Sequence, residues 1–274
     1  MDSKAPPSGD AALAEALIPT ALEAGAAIMK IRRTGFATER KSDLSPVTEA
    51  DRAGERIILA HLARLAPAIP VIAEESVSAG RIPEVGADFF LVDPLDGTRE
   101  FVRGGDDFTV NIGLVRNGEP VLGIIFVPAC GELFVGVQGE GASTAKVEKT
   151  GAITSRQPIR VRHVPPGGPY RIVASKSHRT PETDAFIAKY EVEKLVSAGS
   201  SLKFCLLAAG EADIYPRLGT TMQWDIAAGD AILRAAGGRT LTMQGEPFPY
   251  GPQAGEGGYR NPWFVALGGV EALA

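Results

Sequence analysis

The sequence predicts a layered α/β protein in two parts: an N-terminal α+β half, in which two helices accompany a mostly antiparallel sheet, and a C-terminal α/β layer. Three observations carry this. Two long Ala/Leu-rich stretches open the chain. Strand-length apolar runs separated by turns follow them. Beyond the polar run Lys146 to Pro158, short apolar runs alternate with helical segments. That run sets a boundary near 155, with a disordered tail over 1–9, a first domain over 10–155 and a second over 156–274. At ~150 residues per domain, 274 residues suit two domains.

The elements follow in order. Asp10 is a suitable N-cap for a helix running to Arg33, with Pro19 as a kink. Lys41 to Val47 is turn-like. A second helix runs from Thr48 to Leu65, and Thr48-Glu49-Ala50-Asp51 has the form of a capping box with Asp in place of Glu. Pro70 to Ala73 is a short strand that delivers Glu74-Glu75. Phe89 to Val92 is a buried-type strand that stops at Asp93-Pro94, since Pro lacks the N–H a central strand needs. Phe108 to Val115 and Val121 to Val127 flank a turn at Asn117-Gly118, and Glu132 to Gln138 is a further strand before a turn at 139–141. The second half reads as strand Tyr170–Ala174, helix Pro181–Tyr190, strand Glu193–Ser197, helix Ser200–Gly210, strand Ala212–Pro216 and helix Asp225–Ala236, stopped by Gly237-Gly238.

Composition excludes several classes. Hydrophobic residues are 45% and charged residues 22%, an ordinary globular balance. With 28 Lys and Arg against 33 Asp and Glu, the net charge is −5, so no basic field recruits a nucleic-acid polymer. Two cysteines, Cys130 and Cys205, make neither a disulfide framework nor a zinc site, and both read as free buried thiols. No targeting signal or transmembrane stretch is read, which points to a cytoplasmic location, with peripheral attachment at the inner membrane left open.

The chemistry concentrates in Leu91-Val92-Asp93-Pro94-Leu95-Asp96-Gly97-Thr98. Two carboxylates three residues apart around a forced turn can converge, and the Leu95 carbonyl can join them. The donors are all oxygen, which suits a hard cation such as Mg²⁺. Gly97 allows close backbone approach, and its N–H and that of Thr98 can face a phosphate. Glu74 and Asp225, each at an element end, can complete an acidic cluster that only bound cations would relieve of repulsion. Taken singly, each acid has an ordinary structural reading: Asp225 and Asp51 as helix caps, Glu74-Glu75 as a solvated pair.

In combination, Ala73-Glu74-Glu75-Ser76, Asp93 to Thr98 and Trp224-Asp225-Ile226-Ala227-Ala228-Gly229 resemble the signature regions of the inositol monophosphatase superfamily, over residues 10–268. Asp96 to Phe101 (DGTREF), Lys41 to Thr48, Phe108 to Ile112 and Gly199 to Phe204 are similar to its bisphosphate-nucleotidase branch, CysQ. Ala73 departs from the Gly that many relatives carry before the Glu pair. The resemblance implies an αβαβα sandwich and a Mg²⁺-dependent phosphomonoesterase acting on the 3′-phosphate of adenosine 3′,5′-bisphosphate, a by-product of sulfate assimilation. It implies two or three Mg²⁺ ions, inhibition by Li⁺, a small-molecule nucleotide bisphosphate as substrate, and a monomer or homodimer. An inositol or sugar-phosphate monophosphatase, or a catalytically silent phosphate-binding protein, are the alternatives.

By the same resemblance, Glu74, Asp93, Asp96, Asp225 and the Leu95 carbonyl are metal ligands, with Asp43 near a third ion. Thr98 and Asp51 orient the attacking water, with Glu75 beside them. Gly97, Thr98, Lys176, His178, Ser200, Lys203, Arg217 and Asp225 are implied substrate contacts. Ser200 and Lys203 are expected one helical turn apart on one face.

Overall fold

The structure, a computed structural model, describes residues 7–40, 46–252 and 258–271. The expected site residue Asp43 lies outside them, as do residues 1–6 of the expected tail. The first half carries α1 (Asp10–Thr34), β1 (Thr38–Arg40), β2 (Pro46–Thr48), α2 (Glu49–Leu65), β3 (Val71–Ala73), α3 (Glu74–Ser78), β4 (Asp88–Asp96), α4 (Thr98–Val102), β5 (Thr109–Arg116), β6 (Glu119–Val127), β7 (Glu132–Val137), β8 (Gly141–Val147) and β9 (Ile153–Ile159). The second carries β10 (His163–Val164), β11 (Tyr170–Ser175), α5 (Pro181–Ile187), β12 (Val192–Ala198), α6 (Leu202–Ala208), β13 (Ile214–Arg217), α7 (Gln223–Ala235), β14 (Arg239–Thr242), β15 (Phe264–Leu267) and β16 (Gly269–Val270).

Strands β3 to β9 form one sheet in sequence order, antiparallel except for the parallel β3–β4 pair. A second, mixed sheet has the order β12-β11-β13-β15-β14. The alternation of side chains along each strand divides the core between the two faces. Phe90, Val92, Ile112 and Leu114 pack with α1 and α2, whereas Phe89, Leu91 and Val115 face the other way, toward Phe204 and Leu233 of α6 and α7. In the second sheet, Val173 joins that inner layer while Ile172 and Ala174 pack with Phe186 and Ile187 of α5. The result is the expected five-layer order: α1/α2, sheet, α6/α7, sheet, α5.

The depth of α7 is set by glycine. Gly113, Gly123 and Gly136 lie side by side across β5, β6 and β7. A Cβ at these positions would lie 2.8 Å from Ala228 N, 2.0 Å from Ala228 O and 2.5 Å from the Ile232 Cα. The row of glycines is therefore a groove that receives the helix backbone, and α7 carries Asp225 in its first turn. The turn at Asn117 (φ 50°) and Gly118 (φ 79°) has the left-handed backbone of a type I′ hairpin, as its sequence requires.

Several expectations need correction. Gly9 caps α1, and Asp10 lies inside its first turn, where it binds Arg116 Nη2 at 2.8 Å. α1 is long and apolar enough to cross a membrane by length and composition, contrary to the reading of no such stretch, but half of that window is buried in the protein core. Residue 155 falls inside β9, which pairs with β8, so the first sheet extends to Ile159. The polar run is a solvated edge hairpin of the first sheet rather than a boundary, because an edge strand needs only its ladder and not an apolar face. Cys205 is buried, but Cys130 is exposed, since it sits in the tight connection between β6 and β7.

Candidate active site

The site is built where β4 breaks its register. Asp93 pairs with Asn111 and Asp96 with Thr109, so three steps on β4 oppose two on β5. The strand thus continues past Asp93 to Asp96, correcting the expected stop, and absorbs Pro94 as a bulge. Asp93 Oδ1 accepts from the Leu95 N–H at 2.9 Å, which holds the bulge in shape. Gly97 follows at φ 95°, and a side chain there would meet Asp107 O at 2.8 Å, so only glycine turns the chain into α4.

The capping box of α2 forms as expected, and Asp51 serves two partners. Its Oδ2 accepts from Thr48 N–H and Oγ1 at 2.7 and 2.8 Å, while Oδ1 accepts from Thr98 Oγ1 at 3.0 Å. The helix cap and the Asp51–Thr98 pair are one structure. Glu74 and Glu75 open α3, with the Glu75 N–H donating to Glu55 Oε2 at 2.7 Å. Asp225 accepts from the Met222 N–H at 2.9 Å at the start of α7.

Glu74, Asp93, Leu95, Asp96, Gly97, Thr98, His178, Ser200, Lys203, Arg217 and Asp225 line one cleft of about 580 Å³. Asp51 (1% exposed) lies behind the lining, held by Thr98. Glu75 is also set back from it. Lys176 is not part of the cleft: it projects outward, and its Nζ binds Asp107 at 3.1 Å. Ser200 and Lys203 do not share a helical face. α6 begins only at Leu202, and Ser200 precedes it in the left-handed conformation at φ 46°. They meet because the Lys203 ammonium folds back onto the Ser200 carbonyl.

The cleft sets buried acids beside buried cations. Burial pushes the Asp93 and Asp225 carboxyls well above the usual range; the charges of Glu74 and Asp96 push both further, and that of Asp225 also raises Asp93. Burial raises Asp96 to about 6, although Lys203 and Arg217 pull it down. Burial likewise raises Asp51 to about 6 against its Thr48 hydrogen bonds. Among the described residues no three of these side chains are already gathered as a complete ligand set. Four mutually repelling carboxylates with a backbone carbonyl among them nevertheless fit a hard divalent cation, which replaces repulsion with attraction.

Two cations line the same cleft. Lys203 is 4% exposed and its ammonium lies 5.2 Å from the Tyr215 ring centroid. Burial pushes it down to about 8, against the pull of Asp96. Arg217 donates to the Thr220 carbonyl at 2.7 Å, while its buried Nε has no hydrogen-bond partner among the described residues. Partial desolvation and the charges of Arg217 and Arg99 push His178 down to about 4, so it is neutral at physiological pH. Its Nε2 lies 2.9 Å from Arg99 Nη1.

Three supports escape a reading of the sequence. Glu55 and Glu100 are buried acids outside the signature regions or at their edge, and Glu100 accepts from Ser177 across the cleft. Ser201 Oγ is 2.8 Å from both Thr109 Oγ1 and Asn111 Oδ1, pinning the start of α6 to β5 beside the bulge. The i,i+4 step from Asp51 to Glu55 on one helix was the available signal for the first; the Ser201 pair spans about 90 residues and leaves none.

The fold and the acidic cleft define a phosphatase-like α/β sandwich, and residues 10–265 match the Inositol monophosphatase family, so the chain belongs to that family. It is 39% identical over 252 residues, 91% of this chain and 97% of the relative, to the 3′(2′),5′-bisphosphate nucleotidase CysQ of Salmonella typhimurium. The corresponding protein of Escherichia coli O157:H7 is 38% identical over 246 residues, 89% of this chain and 95% of its own. Among solved structures, CysQ from Bacteroides thetaiotaomicron superposes with a TM-score of 0.76 at 37% identity, covering 93% of this chain and 97% of that one. An inositol monophosphatase of Thermotoga maritima superposes with a TM-score of 0.71 at 26% identity, covering 92% and 90%.

Proposed function

We infer that this protein is a 3′(2′),5′-bisphosphate nucleotidase: a phosphomonoesterase that converts adenosine 3′,5′-bisphosphate to AMP and phosphate, in sulfur assimilation. The observation that carries this reading is the mixed charge of this cleft, whose acids lie beside the buried cations Lys203 and Arg217. A substrate with one phosphate to cleave and a second to hold matches both kinds of charge. Members of the family are generally Mg²⁺-dependent, and here Glu74, Asp93, Asp96, Asp225 and the Leu95 carbonyl would hold the metal. Bound Mg²⁺ lowers the pKa of a water and neutralises charge on the scissile phosphate and its leaving oxygen.

The chain's own groups do the rest. The Thr98 hydroxyl donates to Asp51, which leaves its oxygen free to accept from the attacking water and orient it. Glu75 adjoins that pair from the start of α3. The Gly97 and Thr98 N–H groups would donate to phosphate oxygens. The buried Arg217 Nε is a donor without an acceptor, which a second phosphate would supply with charge-assisted geometry. Lys203 adds a positive charge beside it, and neutral His178 and Ser200 offer polar contacts at the rim. Two or three Mg²⁺ ions and inhibition by Li⁺ belong to the same reading.

The test is phosphate release from adenosine 3′,5′-bisphosphate and from inositol 1-phosphate, side by side, with Mg²⁺, with EDTA and with added Li⁺. Strong preference for the nucleotide, abolished by EDTA and lowered by Li⁺, is the expected outcome. Preference for inositol phosphate would keep the metal chemistry and overturn the assignment of Lys203 and Arg217 to a second phosphate. No release from either would overturn the phosphatase reading.

A further inference from the structure

Glu55 lies one turn beyond Asp51 on α2 and is 4% exposed. Its Oε2 accepts from the Glu75 N–H at 2.7 Å and its Oε1 from Ser76 Oγ at 2.6 Å. Burying a carboxylate beside a cluster of acids opposes stability, since each charge raises the cost of the next. The neighbouring helix explains its presence. α3 has five residues, and Ala73 at its N-cap offers no side-chain acceptor to the N–H groups of the first turn. So short a helix cannot hold its own geometry. Glu55 supplies the missing acceptor from outside. Glu74 opens this same turn, and its carboxylate acts on Asp93.

We propose that Glu55 is a positioning residue that locks the first turn of α3 onto α2, aiming Glu74 at Asp93 and thereby setting the divalent-cation affinity of the acidic cluster. The inference rests on the metal assignment above. One rigid helix then indexes both sides of the site: Asp51 holds Thr98, and Glu55, four residues on, holds the turn that bears Glu74. Groups that orient ligating carboxylates in this way commonly govern metal affinity.

The experiment is calorimetric titration of the full chain with Mg²⁺ alone, on wild type, Glu55→Ala and Glu55→Gln, followed by the Mg²⁺ dependence of turnover. The Ala variant should bind Mg²⁺ about tenfold more weakly or worse. Its Mg²⁺ requirement for turnover should rise by a like factor, while its KM for the bisphosphate at saturating Mg²⁺ stays unchanged. Gln can accept from the Glu75 N–H with its carbonyl and donate to Ser76 Oγ with its amide, so it should restore wild-type affinity. A purely structural role would lower thermal stability without moving the Mg²⁺ titration. If the Ala variant does not fold, Ser76→Ala removes one of the two bonds and should weaken Mg²⁺ binding measurably. Wild-type affinity in the Ala variant, or equal losses in Ala and Gln, would overturn the proposal. Absence of Mg²⁺ binding in the wild type would instead overturn the metal assignment, and this inference with it.

Discussion

Asp51→Asn separates two roles that one carboxylate performs. In the metal-free protein, burial lifts Asp51 from 3.8 to about 6. At 1.36 kcal/mol per unit, its ionised form costs about 3 kcal/mol of folding stability at neutral pH. The sign follows from linkage: a carboxyl raised in the folded state contributes stability below its unfolded pKa, and loses it as pH rises through the folded value. Wild type in EDTA should therefore lose about 3 kcal/mol from this group between about pH 4 and pH 7, and the Asn variant should not. The variant keeps a carbonyl to accept from the Thr48 N–H, so α2 stays capped. Its amide, however, faces Thr98 Oγ1 as a donor and occupies the lone pair that the water needs. Turnover should fall by ~10²–10⁴, the usual worth of an oriented general-base partner. Urea unfolding in EDTA across that pH range and phosphate release at saturating Mg²⁺ measure the two halves. A variant that turns over like wild type would refute the water-orienting role. One that unfolds at pH 7 would show that the cap dominates and refute the charge argument.

Other consequences are equally direct. Asp96→Asn should abolish turnover while melting higher than wild type in metal-free buffer, because it removes one of the repelling charges around Asp93 and Asp225, as differential scanning calorimetry would register. Lys203 titrates near 8 because it is buried, and its charge is lost as pH rises through that value. KM for the bisphosphate should thus climb above pH 8 in wild type, and the climb should vanish in Lys203→Met, while KM for inositol 1-phosphate stays flat. Gly123→Ala places a methyl 2.0 Å from the Ala228 carbonyl, so α7 must move off the sheet. Denaturation should show a loss of about 3 kcal/mol, with turnover falling as Asp225 is displaced.

Much of the fold was legible because its signals are local. Apolar runs of strand length, Asn117-Gly118 and Gly237-Gly238 state their structure within a few residues. The polar run Lys146 to Pro158 reads as a domain boundary, not as the edge strands β8 and β9, because β9 is almost wholly exposed and has no apolar face to give a period. Strands β14 and β15 flank a long connection and pair with each other, and the pairing of β15 with β13 depends on residues some 50 positions away. The bulge in β4 was foreshadowed by Pro94, but its register could be known only once β5 lay opposite. Lys176 was misplaced for a similar reason. It neighbours cleft residues in the chain, yet Asp107 of another loop pulls it outward.

The sequence by itself determined which groups the chemistry has. The Glu-Glu pair, the Asp-Pro-Leu-Asp-Gly-Thr turn and the Trp-Asp start of α7 are short motifs that carry only oxygen donors, and their combination, not any one of them, suits a hard cation. The tertiary structure decided how strongly those groups are driven and what holds them. Burial raises the acids, the three-glycine groove sets how near α7 brings Asp225, and the partners of Ser201 and Glu55 come from other elements. Desolvation and long-range hydrogen bonds are properties of the packed chain, because they depend on what excludes water from a group and not on the residues beside it in sequence.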